Sequence, residues 1–250
     1  MSQSTERTTA SNPFTKPGFI IAAALVIALI AATVVIFLLP KGSANSQPAP
    51  TAPSGSPAAS PSASAEAGKS VCGLPASSET ALGSAPKSNW ELVGRIATPT
   101  DPKTIGPGTT DESGFRSCFA HSPTGALYAA MNVAALGSSG STELQQKLAD
   151  KLLVPGAGRD AAMREVAAGS GTAGSSTPIQ VRGFLMKSYT PAEANIDLAF
   201  ETDKGALARL TLSMRWMEGD WKVKPADDGV TFMGPTQIRD LSGLILWAGV

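Results

Sequence analysis

A long apolar segment lies near the start of the chain. Phe19 to Leu39 is a run of 21 residues with no charged side chain and only Thr33 as a polar one. As a helix it would be about 31 Å long, close to the roughly 30 Å hydrocarbon core of a membrane. The pattern therefore predicts a transmembrane helix over residues 19–39 that contacts membrane lipid. A cleaved signal peptide is the alternative, but its apolar part is usually about 7–15 residues and ends in small residues, whereas Pro40 and Lys41 follow here.

The segments on either side of the apolar run indicate how the chain would be oriented across the membrane. Arg7 and Lys16 precede the apolar run, whereas residues 42–68 are mostly Ser, Ala, Pro and Gly, with Glu66 as the only charged residue. Because basic residues favour the cytoplasmic side, we expect a cytoplasmic tail over residues 1–18 and a single-pass protein of the cell membrane, with an extracytoplasmic C-terminal domain. Too few large apolar residues follow the run to offset the entropy of ordering. We therefore expect a disordered stalk over residues 40–70, which either lifts the domain from the membrane or is a passive linker.

The first helical pattern of the domain begins at Ser122-Pro123. Ser is a preferred N-cap residue, and Pro is favoured at the first helical position. A segment rich in small apolar residues follows as far as Leu136, so the helix should be buried on most of its sides. Spaced leucines predict a second helix over residues 141–153, and a third is expected over residues 159–168.

The period of the pattern changes to two from Ala194 onward. Apolar and polar side chains alternate as far as Glu201 and again from Ala206 to Trp216, which predicts a β-hairpin. An apolar sheet face needs a cover, which the helices supply. The pattern predicts an α+β domain over residues 71–250, with helices packed on a curved antiparallel sheet. Further strands are expected at Trp90–Ile96, Ile179–Lys187 and Trp221–Lys224, and the tail around Leu244–Trp247 is either a last strand or an apolar clip over the core.

The numbers of cysteine and histidine residues and the net charge limit the kinds of function that the chain can have. The chain contains two cysteines and one histidine, and its formal net charge is zero. Neutral charge without a cluster of Lys and Arg argues against direct nucleic-acid binding. In an oxidising compartment, the pair Cys72 and Cys118 predicts a disulfide. Two free buried thiols are the alternative.

No set of residues in the sequence indicates catalysis, a cofactor or a metal site. His121 is the sole histidine and lies just before the first predicted helix, with no acidic residue near it in the sequence. We expect it to have a structural role at the start of that helix rather than to act as a base. Asp227 and Asp228 precede a glycine and are interpreted as a solvated turn, because a hard cation needs more oxygen ligands than this segment offers.

Two arginines share the polar face of the predicted hairpin. Arg209 and Arg215 alternate with apolar residues and should lie across from Asp197 and Glu201. Ion pairs within the hairpin are the expected arrangement, and contact with a partner protein is the alternative.

The order of the elements also resembles a known superfamily. Helices followed by bent antiparallel strands that end in the sequence Gly-Asp-Trp-Lys-Val at residues 219–223 resemble the nuclear-transport-factor-two-like proteins. With a membrane anchor, a stalk and an external domain, the chain looks like the VirB-eight-type assembly factor of type IV secretion systems. The segment Phe119–Ala130, and the end of the chain with Leu241-Ser242-Gly243 and Trp247, are similar to segments of actinobacterial membrane proteins carried on conjugative elements.

This resemblance covers residues 88–250 and implies a function. It implies a non-catalytic structural or assembly component of a conjugative, type IV secretion-like DNA-transfer apparatus, which self-associates and contacts other membrane proteins of that apparatus. The same superfamily includes isomerases, and fold does not settle function. The alternative is an extracytoplasmic small-molecule-binding protein or cell-envelope enzyme, which would need a deep pocket with a buried Asp or Glu.

Overall fold

The computed structural model describes residues 68–169, 179–231 and 234–248. The predicted cytoplasmic tail, the transmembrane segment over residues 19–39 and most of the predicted stalk lie outside the described residues. None of the helices within those three ranges is both long and apolar enough to span a membrane.

The described chain begins with two small antiparallel pairs of strands. The first pair is β1 (Asn89–Val93) with β2 (Ile96–Thr100), and the second is β3 (Thr109–Thr110) with β4 (Arg116–Ser117). The prediction of one strand over Trp90–Ile96 was wrong, because the chain turns back within that segment. Gly94 has a φ of 60°, in the left-handed region that glycine adopts readily, and this turn makes a hairpin.

The predicted helices are confirmed to within two residues at their ends. They are α1 (Pro123–Gly137), α2 (Thr142–Lys147), which continues as a π-helical turn over Leu148–Leu152, and α3 (Ala157–Ala167). Ser122 is the N-cap of α1, where its Oγ accepts a hydrogen bond from the Gly125 N–H at 3.0 Å. Nearly every residue of α1 is buried, as its composition predicts.

The main sheet is antiparallel and follows the predicted hairpin. Its strands are β5 (Ile179–Thr190), β6 (Glu193–Thr202), β7 (Leu207–Met217), β8 (Asp220–Val223), β9 (Thr236–Ile238) and β10 (Ile245–Leu246). The order across the sheet is β10-β5-β6-β7-β8, and β9 pairs with the other end of β7. The register of β5 against β6 shifts between Val181 and Gly183 and again between Met186 and Ser188. Such bulges bend a strand.

The helices cover one face of this sheet, so the fold is α+β as predicted. Apolar side chains of α1 and of β5 to β8 form one buried cluster. The tail serves in both of the roles considered for it. Ile245 and Leu246 pair with β5, and Trp247, only 5% exposed, packs its ring 4.8 Å from Trp90 and 5.5 Å from Phe184.

Candidate functional surface

The space between α1 and the sheet is filled by protein side chains. Leu127 and Met131 of α1 belong to the same buried cluster as Leu198, Leu212 and Trp221 of the sheet, and each of the five is 0% exposed. Close-packed interiors of this kind leave no room for a ligand without displacing side chains. The helix-covered face of the sheet therefore serves as a core.

The disulfide predicted from the two cysteines is present. Cys72 and Cys118 are bonded, with their Cα atoms 6.2 Å apart. Cys118 is buried and lies just before α1, whereas Cys72 is exposed on a segment that precedes β1. The bond therefore ties the first described residues to the start of the buried helix.

Beside this disulfide lies a buried carboxylate, Asp220. Its oxygens accept backbone hydrogen bonds from the N–H groups of Cys118, Phe119 and Trp221, at 2.7, 2.9 and 2.8 Å. Burial raises the pKa of Asp220 to about 6, and the three N–H donors together with Lys222 oppose that shift. Because Cys118 and Phe119 lie just before α1, Asp220 joins β8 to the segment that enters α1.

His121 has the structural role that its position predicts. Its Nε2 lies 2.5 Å from the carbonyl oxygen of Pro191, and its ring stacks on Trp216 with the ring centres 4.1 Å apart. Trp216 packs in turn on the fully buried Trp221. The histidine therefore joins the start of α1 to the β5–β6 turn and to the end of β7.

The outward face of the sheet carries a second buried carboxylate. Asp197 accepts a hydrogen bond from the Thr211 hydroxyl at 2.6 Å, and its oxygens lie 3.6 Å from Arg209 and 3.8 Å from Lys187. The predicted pairing of Arg209 with Asp197 is confirmed.

The predicted pairing of Arg215 with Asp197 or Glu201 was wrong. The hairpin register places Arg215 opposite Glu193, and the two side chains form an ion pair at 2.6 Å.

An apolar groove lies away from both buried carboxylates. It has a volume of about 390 Å³ between α2, α3 and the loop that follows β8, and Leu148, Val166 and Val230 contribute to its walls. Glu165 is its one acidic lining residue, and that side chain is exposed. Asp197 and Asp220 do not line the groove. The alternative function, which calls for a buried acid in a deep pocket, stays a prediction.

The predicted solvated turn is confirmed, since Asp227 and Asp228 are both exposed. In the three described ranges, no group of three His, Cys, Asp or Glu side chains is placed to hold a metal ion.

An exposed strand edge is the remaining surface feature. β1 pairs only with β2 among the described strands, and its Leu92 side chain is 75% exposed. On the opposite face of β1, Glu91 forms an ion pair with the buried Arg116. The edge was not predicted because the pattern over Trp90–Ile96 is typical of one strand. The signal that could have found it is Gly94, two residues beyond Leu92, which favours a turn.

Comparison with protein families identifies the family of the chain. The family described as domain of unknown function (DUF8175) matches residues 52–246, which is most of the chain. This chain belongs to the DUF8175 family. No curated protein matches the DUF8175 chain, and no solved structure matches it.

Proposed function

We propose that this DUF8175 protein is a non-catalytic, membrane-anchored structural or assembly component whose domain lies outside the cytoplasm. The observation that carries the proposal is the filled space between α1 and the sheet, which leaves the outer surface to make functional contacts. The disulfide between Cys72 and Cys118 supports an oxidising compartment. The apolar run over residues 19–39 supplies the anchor.

We further infer that the assembly is a conjugative, type IV secretion-like DNA-transfer apparatus of an actinobacterial element. The order of the described elements supports this inference, because α1 to α3 precede the antiparallel strands β5 to β8. This is the order of a nuclear-transport-factor-two-like domain of the VirB-eight type. The expected partners are further copies of the chain and other membrane proteins of the apparatus, with no direct contact to nucleic acid.

Chemical crosslinking of the full chain in its native membrane tests the proposal. Because the domain would act by contact, we expect covalent adducts of the chain with itself or with channel proteins, identified by mass spectrometry of the crosslinked bands. A matched sample crosslinked after detergent dilution controls for random collisions. A chain recovered only as a solitary monomer under conditions that trap other membrane assemblies would contradict the proposal.

A further inference from the structure

The first hairpin leaves one edge of β1 open. Val93 lies opposite Ile96 across a two-residue turn, so Val93 and Ile96 form a hydrogen-bonded pair. Along the hairpin, hydrogen-bonded pairs then alternate with non-hydrogen-bonded pairs. By this alternation, the backbone N–H and C=O groups of Trp90 and Leu92 point away from β2. Pro99 lies opposite Trp90 in the register. Since proline has no N–H, its place at a non-hydrogen-bonded position fits this assignment.

This edge lacks the usual protection against strand pairing. Natural sheets shield their edges with very short strands, bulges, lysine or proline. In the described part of the main sheet, the outer strands β8, β9 and β10 have only four, three and two residues. β1 has five residues, no lysine or proline, and a continuous register with β2, and its one charged side chain, Glu91, is already paired with Arg116. At 75%, Leu92 is the most exposed of the large apolar side chains in the described chain.

We propose that β1 is a self-association surface, at which two copies of the chain pair their β1 edges antiparallel around a two-fold axis. The inference rests on the proposed function, which includes self-association, and it names the surface. With Glu91 on the axis, Trp90 of one copy lies opposite Leu92 of the other. These are the residues whose backbone groups face outward, so each opposed pair exchanges both of its hydrogen bonds. Each pair also brings an aromatic ring beside an exposed leucine, which favours strand pairing.

Charge complementarity favours a second copy as the occupant. The two Glu91 side chains would face each other across the axis, and directly opposed like charges destabilise a sheet. Each Glu91, however, already forms an ion pair with Arg116 of its own chain. The charge of each Glu91 is therefore balanced within its own chain before the two copies meet. Two carboxylates would thus be matched by two guanidinium groups, and the strand is complementary to itself in charge and in apolar pattern.

The test places a photo-crosslinking amino acid at position 92 of the full chain in its native membrane. We expect an adduct between two copies of the chain. Leu246 is the matched control, because it is also an exposed leucine, at 66%, on another edge strand, and a crosslinker there should give no such adduct.

Two lysine variants measure the contribution of the edge to self-association. We expect Leu92→Lys to weaken self-association about tenfold, which corresponds to losing about 1.4 kcal/mol, and Leu246→Lys to leave it unchanged. Leu92→Pro is a second variant, since it removes only the N–H that points away from β2 and leaves the hairpin bonded. Formation of the Cys72–Cys118 disulfide reports that each variant folds.

The outcomes separate this inference from the proposed function. If the unmodified chain self-associates and both substitutions at position 92 leave that association intact, the β1 inference is overturned and the proposed function stands. Adducts from position 92 to another protein alone would overturn a second copy as the occupant. If the unmodified chain forms no adduct with itself or with any membrane protein, the proposed function and the β1 inference fail together.

Discussion

At the scale of single residues, Asp220 is the most informative side chain in the domain. Its carboxylate holds three backbone N–H groups around the disulfide and the start of α1. Burial and hydrogen bonding shift the pKa of Asp220 in opposite directions, because burial disfavours the charged carboxylate whereas the N–H donors favour it. Burial is the larger effect and raises the pKa of Asp220 to about 6.

This balance predicts a pH dependence with a definite sign. The folded-state pKa of Asp220 lies above its unfolded value, so the contribution to stability is fully present below the unfolded pKa of about 3.8 and is lost as pH rises through about 6. We expect the unfolding free energy of the unmodified chain, relative to that of Asp220→Asn, to fall by roughly 2–3 kcal/mol between pH 4 and pH 7. Urea titration of the full chain in detergent micelles, followed by tryptophan fluorescence, measures this difference.

Other acids with lowered pKa values, such as Asp150 and Glu218, also make the unfolding free energy depend on pH. Both chains contain these acids, so their contributions cancel when the unmodified chain is compared with Asp220→Asn at each pH. A stability difference that grows with pH would contradict the account, because it would mean that the N–H donors outweigh burial. A difference independent of pH would also contradict it.

At the scale of elements, the start of α1 is the most tightly constrained point of the fold. A Cβ placed on Gly125 would lie 1.9 Å from the carbonyl oxygen of Ala120. That oxygen also accepts the indole N–H of Trp221 at 3.0 Å and the N–H of Ser122 at 2.9 Å. The chain can approach α1 this closely only because residue 125 has no side chain.

Gly125→Ala should therefore destabilise the domain even though alanine is the better helix former. The overlap forces the Ala120 carbonyl to move, and we expect a loss of about 3 kcal/mol, which exceeds the roughly 1 kcal/mol gained from helix propensity. Gly83→Ala is the matched control, since nothing lies within 4 Å of its Cβ position, and it should change stability by less than about 0.5 kcal/mol. Urea midpoints of the two variants provide the measurement, and equal midpoints would contradict the packing argument.

The elements also show which features the sequence could predict. The start of α1 depends on the adjacent residues Ser122 and Pro123, and the main hairpin depends on a period of two, so local patterns were sufficient for both. The turn at Gly94 was missed because apolar residues on both sides of it continue the pattern of a strand. The role of Asp220 could not be predicted, because its partner Cys118 lies 102 residues earlier in the chain and only the fold brings them together.

At the scale of the whole molecule, we propose that an apolar anchor holds a folded domain at a membrane. The sequence predicts the anchor over residues 19–39, and the disulfide between Cys72 and Cys118 fits a domain exposed to an oxidising compartment. We propose that such a domain, with a filled core and an open β1 edge, acts by assembly. The proposed anchor, oxidising compartment and role at the membrane require that the domain lies outside the cytoplasm.

Labelling intact cells with a membrane-impermeant, amine-reactive biotin reagent tests that requirement most directly. Lys103, Lys151 and Lys204 are exposed on the described domain, whereas Lys16 precedes the apolar run. Peptide mapping should find biotin on the three domain lysines in intact cells, and on Lys16 only after the cells are lysed. Domain lysines that stay unlabelled until lysis would contradict the account.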